Sequence, residues 1–249
     1  MEDFKSFAAL IFVTENEKQV VLRMFDWEPV AFPNDDQLYY RTKDSHGKLI
    51  YAARTDEKGM TAASVLSMKL IEHFRPKYIL MPGIVAGIYE TEQLYGDVVL
   101  ADMVWNYSNG KYVTKDRAEI TFGDIGFEPR PTCITVDKDL ISYFNKALYS
   151  AENEAHVHVG AIATGASVVA NKSVVEKQVM GQEYKTMGLE MEGYGVAYAA
   201  SHATEPKPKA IIAKSICDFA DSNKSDDYKK FAAYTSCEFV KFMIEKVLD

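Results

Sequence analysis

Apolar β-branched and aromatic runs alternate with helix-period segments from end to end of the chain, the pattern of an α/β fold around a mainly parallel or mixed sheet. The first unit is a strand, FAALIFV, running into TENEKQVVLRMF, where Thr14 can cap a helix and Glu17 stands at the capping-box spacing. A second helix is predicted over 61–74, with Ala62, Leu66, Leu70 and Phe74 on one stripe, leading through RPK into YILMPGIVAGIYE, a buried strand that ends in a glycine-containing turn. GDVVLADMVWNYSNGKYV reads as a long strand with a polar turn at Ser108 to Gly110, followed by a polar, irregular excursion over 114–131. A helix over 138–150, the strand HVHVGAIATG, a short helix after Asn171, a strand before Glu190 and the helix GYGVAYAA come next. The strand KAIIAKSICDF and a helix over 225–248 close the chain. In that helix the stripe Tyr228, Phe231, Thr235, Phe239, Phe242 and Met243 is expected to face the core, and Asp226 and Asp227 suit the positive end of its dipole. No linker or repeat divides the pattern, so residues 1–249 are expected to form one domain with a central mixed sheet flanked by helices.

Composition narrows the class of protein. With 249 residues, 47% apolar and 26% charged, the chain can bury a sizeable core. No stretch approaches the roughly 20 consecutive apolar residues of a membrane span. The N-terminal segment lacks the basic front and cleavage site of a secretory signal, which predicts a cytoplasmic protein with no membrane partner. A net charge of −8 argues against a nucleic-acid partner, because phosphate-backbone binding needs clustered Lys and Arg. The three cysteines, Cys133, Cys217 and Cys237, are widely spaced with no CxxC, and are expected to be reduced packing residues. The five His are scattered, with His156 and His158 facing one way from a predicted strand as packing residues, so neither a metal nor an organic cofactor is expected.

Candidate chemistry gathers at the C-terminal ends of the predicted strands, where α/β sheets usually bind ligands. Glu17 follows the first strand, but a capping-box glutamate accounts for it equally well. PGIVAG, taken alone, is a turn: it fits neither a dinucleotide fingerprint nor a P-loop. Glu190 and Glu192, either side of Met191, could each be an acid at a helix N-terminus. Both together are harder to explain that way, since residues two apart project differently. Asp218 lies in the apolar strand end AIIAKSICDFA, where a carboxylate is costly unless paired or used.

Taken in order, FAALIFVTENEKQVVLRMF, PGIVAG, YGDVVLAD, GAIATGASVVANKSVV, GLEMEG and KSICDFAD resemble the nucleoside phosphorylase superfamily over nearly the whole chain, and within it the branch of methylthioadenosine/S-adenosylhomocysteine nucleosidases. The most specific part is EMEG followed about 25 residues later by SICDFAD. The resemblance implies a nucleoside-phosphorylase-like fold and an enzyme that releases a purine, adenine by family preference, from a nucleoside or nucleotide. It implies that Glu192 accepts hydrogen bonds from the ribose 2′ and 3′ hydroxyls, a task suited to an acceptor-only group, with Met191 against the sugar. Asp218 matches the acid that shares a proton with purine N7, and its flank of Ile216, Cys217 and Phe219 suits a carboxyl that must carry one. Glu17 matches the base for an attacking water, and Glu190 is assigned no chemistry beyond an orienting role.

Departures from the family pattern bear on the reaction and the substrate. The phosphate-holding GDPxR loop is missing, and Met81 and Ile84 stand where an Arg and a Ser are expected, so water is the expected nucleophile instead of phosphate. The position of an adenine-stacking Phe holds Val168, beside Val169, while Ile84, Val85 and the Ala220 backbone complete the expected base and sugar pocket. The closing KSICDFAD…KSDDY also resembles nucleosidase domains of bacterial antiviral systems, some of which cleave ATP. That likeness makes Arg54, Lys58, Lys172 and Lys214 candidates for a 5′-phosphate contact. Relatives are typically oligomers, a dimer being expected here, with Trp105, Tyr107 and Tyr112 as interface candidates.

Overall fold

A computed structural model of the chain describes residues 3–89, 92–118, 120–122, 125–222 and 226–249. Strand β1 (Ser6–Phe12) is buried on both faces. Its Ala8, Leu10 and Phe12 join one buried apolar cluster while Ala9 and Ile11 join another, because successive strand side chains point to opposite faces. β1 pairs in parallel with β4 (Leu49–Arg54) and with β5 (Pro76–Gly87). Outward from β4 the sheet continues antiparallel through β3 (Asp35–Lys43) to β2 (Glu28–Phe32).

On the other side the sheet closes on itself. β5 pairs with β12 (Thr186–Glu190) and β13 (Lys209–Asp218); β12 pairs with β11 (Val157–Thr164), β11 with β6 (Val98–Asn106), and β6 returns to β13. The distal half of β6 exchanges β13 for the short strand β10 (Thr132–Thr135). Closure brings the C-terminal ends of β11, β12 and β13 to one rim with the glycine-containing end of β5.

Helices cover both faces. α1 (Glu15–Met24), α3 (Lys138–Tyr149) and α6 (Lys229–Phe242) pack on one, through Val21, Phe144 and Phe239 among others; α2 (Met60–Phe74) and α5 (Gly193–His202) pack on the second, through Leu66, Leu70 and Val196. The small residues of α5 allow this close approach: a Cβ on Gly195 would lie 2.3 Å from the Met60 carbonyl oxygen. A single helical turn, α4 (Lys172–Val174), widens into a π-type turn, Val175–Met180, which closes a third apolar cluster through Val175 and Val179.

The fold is the expected mixed α/β arrangement, and several elements differ from expectation. The strands β2, β3, β4 and β10 are not among the predicted elements; β3 lies near the sheet edge and carries mostly polar residues. The polar turn expected at Ser108 to Gly110 is present and parts the segment 96–113 into two strands, with Asn106 Oδ1 accepting from the Ser108 N–H at 3.0 Å and its hydroxyl at 2.8 Å. Beyond this turn, β7 (Gly110–Thr114), β8 (Ile120–Phe122) and β9 (Ile125–Pro129) form a separate small sheet where an irregular excursion was expected; residues 119, 123 and 124 of that excursion lie outside the described residues. The last helix begins at Lys229, the expected start at 225 again lying outside the described residues. Its buried side is Ala232, Ala233, Ser236, Cys237, Phe239 and Val240, whereas Tyr228 and Phe231 are exposed. Membership of the expected apolar stripe is thus half right. No helix among the described residues is long and apolar enough to cross a membrane.

Candidate active site

Glu17 completes a capping box and also lines the cavity described below. Thr14 Oγ1 accepts from the Glu17 N–H at 3.2 Å, and Glu17 Oε2 accepts from the Thr14 and Val13 N–H groups at 2.8 Å each, so the capping box is complete. The same carboxylate is 2% exposed, and its Oε1 accepts from the Ile84 N–H at 3.3 Å across the mouth of β5. Glycine is required beside it. Gly83 has φ +147°, and a Cβ there would lie 2.6 Å from Glu17 Oε1 and 2.8 Å from Lys214 Nζ. Gly83 N–H is itself satisfied by Ser236 Oγ of α6 at 3.0 Å.

Glu190, at the end of β12, holds the start of α5. Its Oε2 accepts from the Glu192 and Gly193 N–H groups at 2.8 Å, and its Oε1 accepts from the Thr164 hydroxyl. Lys214 Nζ, on β13, stands 3.8 Å from the same Oε2. Glu192 turns the other way, where its Oε1 accepts from Gly59 N–H, at the start of α2, at 2.8 Å. Burial and the like charge of Glu190 push the Glu192 acid up to about 7, against the opposing pull of Lys214 and the Gly59 N–H.

Asp218 ends β13 at a bulge. The register with β5 passes from Ile216↔Val85 to Asp218↔Ala86, setting two residues of β13 against one of β5, a device that re-aims a side chain. Asp218 Oδ1 accepts from the Ala220 N–H at 2.9 Å, and the Cys217 thiol donates to Oδ2 at 3.2 Å. Ala220 adopts φ +52° and is fully buried, so its N–H holds the carboxylate.

These elements enclose a cavity of about 160 Å³ whose walls include Glu17, Ile84, Val85, Val168, Val169, Met191, Glu192 and Asp218, eight of the nine residues singled out from sequence. Ala220 is the exception, meeting the cavity only through Asp218. Val168 is 60% exposed at the mouth. Of the four basic candidates, Lys58 lines the cavity, Lys214 is sealed beneath it, Arg54 pairs with Glu15 at 2.9 Å on the surface, and Lys172 is exposed on α4, outside the lining. Lys229 and Asn16 also line it, and sequence reasoning did not find them: each sits in an ordinary helical first turn, and only the fold brings them together. Met81, in the place of a phosphate-binding Arg, is fully buried.

Two expectations away from the cavity change. Trp105 and Tyr107 are 2% and 3% exposed and belong to the third apolar cluster, leaving Tyr112 as the exposed member of the suggested interface trio. His156 and His158 do not serve as apolar packing: both rings converge on Asp97, with His156 Nδ1 and His158 Nε2 at 2.9 and 2.8 Å from Asp97 Oδ2.

Residues 10–248 match the profile of the Phosphorylase superfamily. An uncharacterized protein, y4jS of Sinorhizobium fredii, is 29% identical over 90% of this chain and 57% of its own length. A death domain-containing ATP nucleosidase of Amphimedon queenslandica is 28% identical over 84% of this chain and 42% of its own. The chain thus spans about half the length of these relatives. Among solved structures, the 5'-methylthioadenosine/S-adenosylhomocysteine nucleosidase of Neisseria meningitidis, in complex with methylthio-immucillin-A, superposes with a TM-score of 0.78 over 96% of this chain and 99% of its own, at 20% identity.

Proposed function

The chain belongs to the phosphorylase superfamily, and from that premise we propose that it hydrolyses the N-glycosidic bond of a purine nucleotide or nucleoside, adenine being the preferred base. The observation that carries this reading is the convergence of Glu17, Glu192 and Asp218, from three distant segments, on one small cavity. Glu192 accepts from the two ribose hydroxyls, with Met191 against the sugar face. Asp218 gives a proton to N7 as the C1′–N9 bond breaks and its electron pair passes to the base. The sugar then has oxocarbenium character, and water adds to C1′ while Glu17 takes its proton. Stacking on the base is weak in this reading, since Val168 and Val169 offer aliphatic contact only.

Water is preferred to phosphate because apolar Met81 and Ile84 stand where an oxyanion would need donors. The cations that do line the cavity, Lys58 and Lys229, support a substrate phosphorylated at the 5′ position, as does the likeness to a relative named as an ATP nucleosidase. The experiment is chromatographic detection of free base from adenosine, methylthioadenosine, S-adenosylhomocysteine, inosine, AMP and ATP, each with and without phosphate. Adenine released without phosphate, fastest from a nucleotide, is the expected result. Release that requires phosphate would make the protein a phosphorylase, and no release from any substrate would leave a nucleotide-binding module.

A further inference from the structure

Asp97, His156 and His158 lie apart from the cavity, and none of them lines it. His156 immediately precedes β11 and His158 is its second residue, so the two rings project from the same side of the strand, with centroids 4.7 Å apart. Asp97 is the residue before β6, the neighbour of β11, and its carboxylate is 7% exposed. Three nitrogens meet its Oδ2: His156 Nδ1 at 2.9 Å, His158 Nε2 at 2.8 Å and the Leu94 N–H, which donates at 2.9 Å. A carboxylate oxygen has two lone pairs, so three nitrogens around one oxygen are more than its own acceptor capacity.

We propose that Asp97, His156 and His158 form a binding site for one divalent transition-metal ion of the zinc class, with its remaining coordination positions open to water. The donor set is the right kind, since two imidazoles and a carboxylate suit borderline ions and exclude soft ones. The three ligand atoms all lie within 4.8 Å of one another. Ligands about 2.05 Å from such an ion are about 2.9 Å apart when at right angles and about 3.4 Å apart when tetrahedral. The two nitrogen-to-carboxylate distances, 2.8 and 2.9 Å, match the first and need a small ring movement for the second. His156, 67% exposed, has the freedom to make it and leaves the site open to solvent.

The carboxylate is held ready by the backbone around it. Asp97 N–H donates to Leu94 O at 3.1 Å, Gly96 N–H to Ile216 O at 2.9 Å, and Ile216 N–H to Asp97 O at 2.9 Å. A bound ion would therefore tie the start of β11 to a loop that is bonded to β13 two residues before Asp218. Its effect belongs first to stability, and it is separate from the proposed hydrolysis.

The test uses chelator-stripped full chain in a Cys133→Ser background, because Cys133 is an exposed thiol. Cobalt(II) serves as an optical probe, with zinc as competitor. The expected result is one cobalt per chain with nitrogen and oxygen ligation and no thiolate band, displaced by zinc, together with a zinc-dependent rise in Tm. His156→Ala, at an exposed position, should keep the fold by circular dichroism yet weaken binding at least ~10-fold. The pair His156→Ala/His158→Gln should abolish both binding and the Tm rise. Wild-type protein that takes up no ion, or variants that bind as tightly as wild type, would overturn the proposal.

Discussion

Lys214 Nζ stands 3.8 Å from Glu190 Oε2, with side-chain exposures of 1% and 3%. Two opposite charges withdrawn from water at that distance hold each other in place, and removing one leaves the other buried and uncompensated. Lys214→Met should therefore destabilise the protein by about 3–5 kcal/mol. Adding Glu190→Gln should return part of that loss, because the orphaned charge goes with it. Urea denaturation of the two single variants and the double variant checks this. Losses that simply add would mean that the two groups do not act as a pair.

Asp218 can be tested separately from the fold around it. In Asp218→Asn the amide oxygen can keep the 2.9 Å bond from the Ala220 N–H, while the proton that the proposed mechanism gives to the purine is gone. Base release should fall by roughly 10²–10⁴ in kcat with Cm in urea nearly unchanged. Glu17→Gln should lose activity and also some stability. Its amide nitrogen must face either the Val13 and Thr14 N–H groups or the Ile84 N–H, and neither offers an acceptor. Wild-type turnover in Asp218→Asn would remove the acid from the mechanism.

Local signals were the legible ones. Thr14 and Glu17 declare their capping box over four residues, and EMEG marks the seam between β12 and α5, because both are governed by neighbours in sequence. The outward turn of Tyr228 and Phe231 was not legible. α6 lies close against β5, so Ala233 and Ser236 face the core, and the aromatic side covers the loop at Tyr95 and Gly96 instead. Small residues carry little hydrophobic signal, and large ones dominate any stripe read by eye. The bulge at Asp218, the burial of Lys214 under the cavity and the meeting of Asp97 with His156 depend on strand register between distant segments. No single stretch of sequence contains that information.

Glu192 gives the site a pH dependence of definite sign. Its acid is raised to about 7 in the folded protein and lies near 4.3 in an unfolded chain. Between those values the folded state binds more protons, so this group's contribution to stability is complete below about pH 4 and is lost as pH rises toward 7. The loss is on the order of 3 kcal/mol, and Glu192→Gln should flatten that part of the stability curve. Urea denaturation of wild type and variant at pH 5 and 8 measures it. In the proposed reaction ionised Glu192 is also the stronger acceptor for the ribose hydroxyls, so kcat/KM should climb through about pH 7 in wild type and lose that limb in the variant. A variant whose stability falls with pH as steeply as wild type would mean that the titrating group lies elsewhere.

The 5′ end of the substrate is best addressed through Lys58 and Lys229, which reach the cavity from the segment before α2 and from the first residue of α6. Lys229 is engaged with Asp226, whereas no ion pair or hydrogen bond involves Lys58 among the described residues. A free ammonium at the mouth of a site whose interior is rich in carboxylates is of no use to a neutral 5′ group, but it offsets the repulsion that a phosphorylated substrate would meet. Lys58→Met, which keeps the aliphatic stem, should raise KM for ATP or AMP about 10-fold while leaving adenosine within about twofold, the loss of one well-placed charge contact being about 1.4 kcal/mol. Lys229→Met should act in the same direction but less, because its charge is already shared with Asp226. Added salt should weaken the nucleotide preference of wild type and have little effect on Lys58→Met. Equal losses for nucleotide and nucleoside would show that these lysines shape the cavity without reading a phosphate.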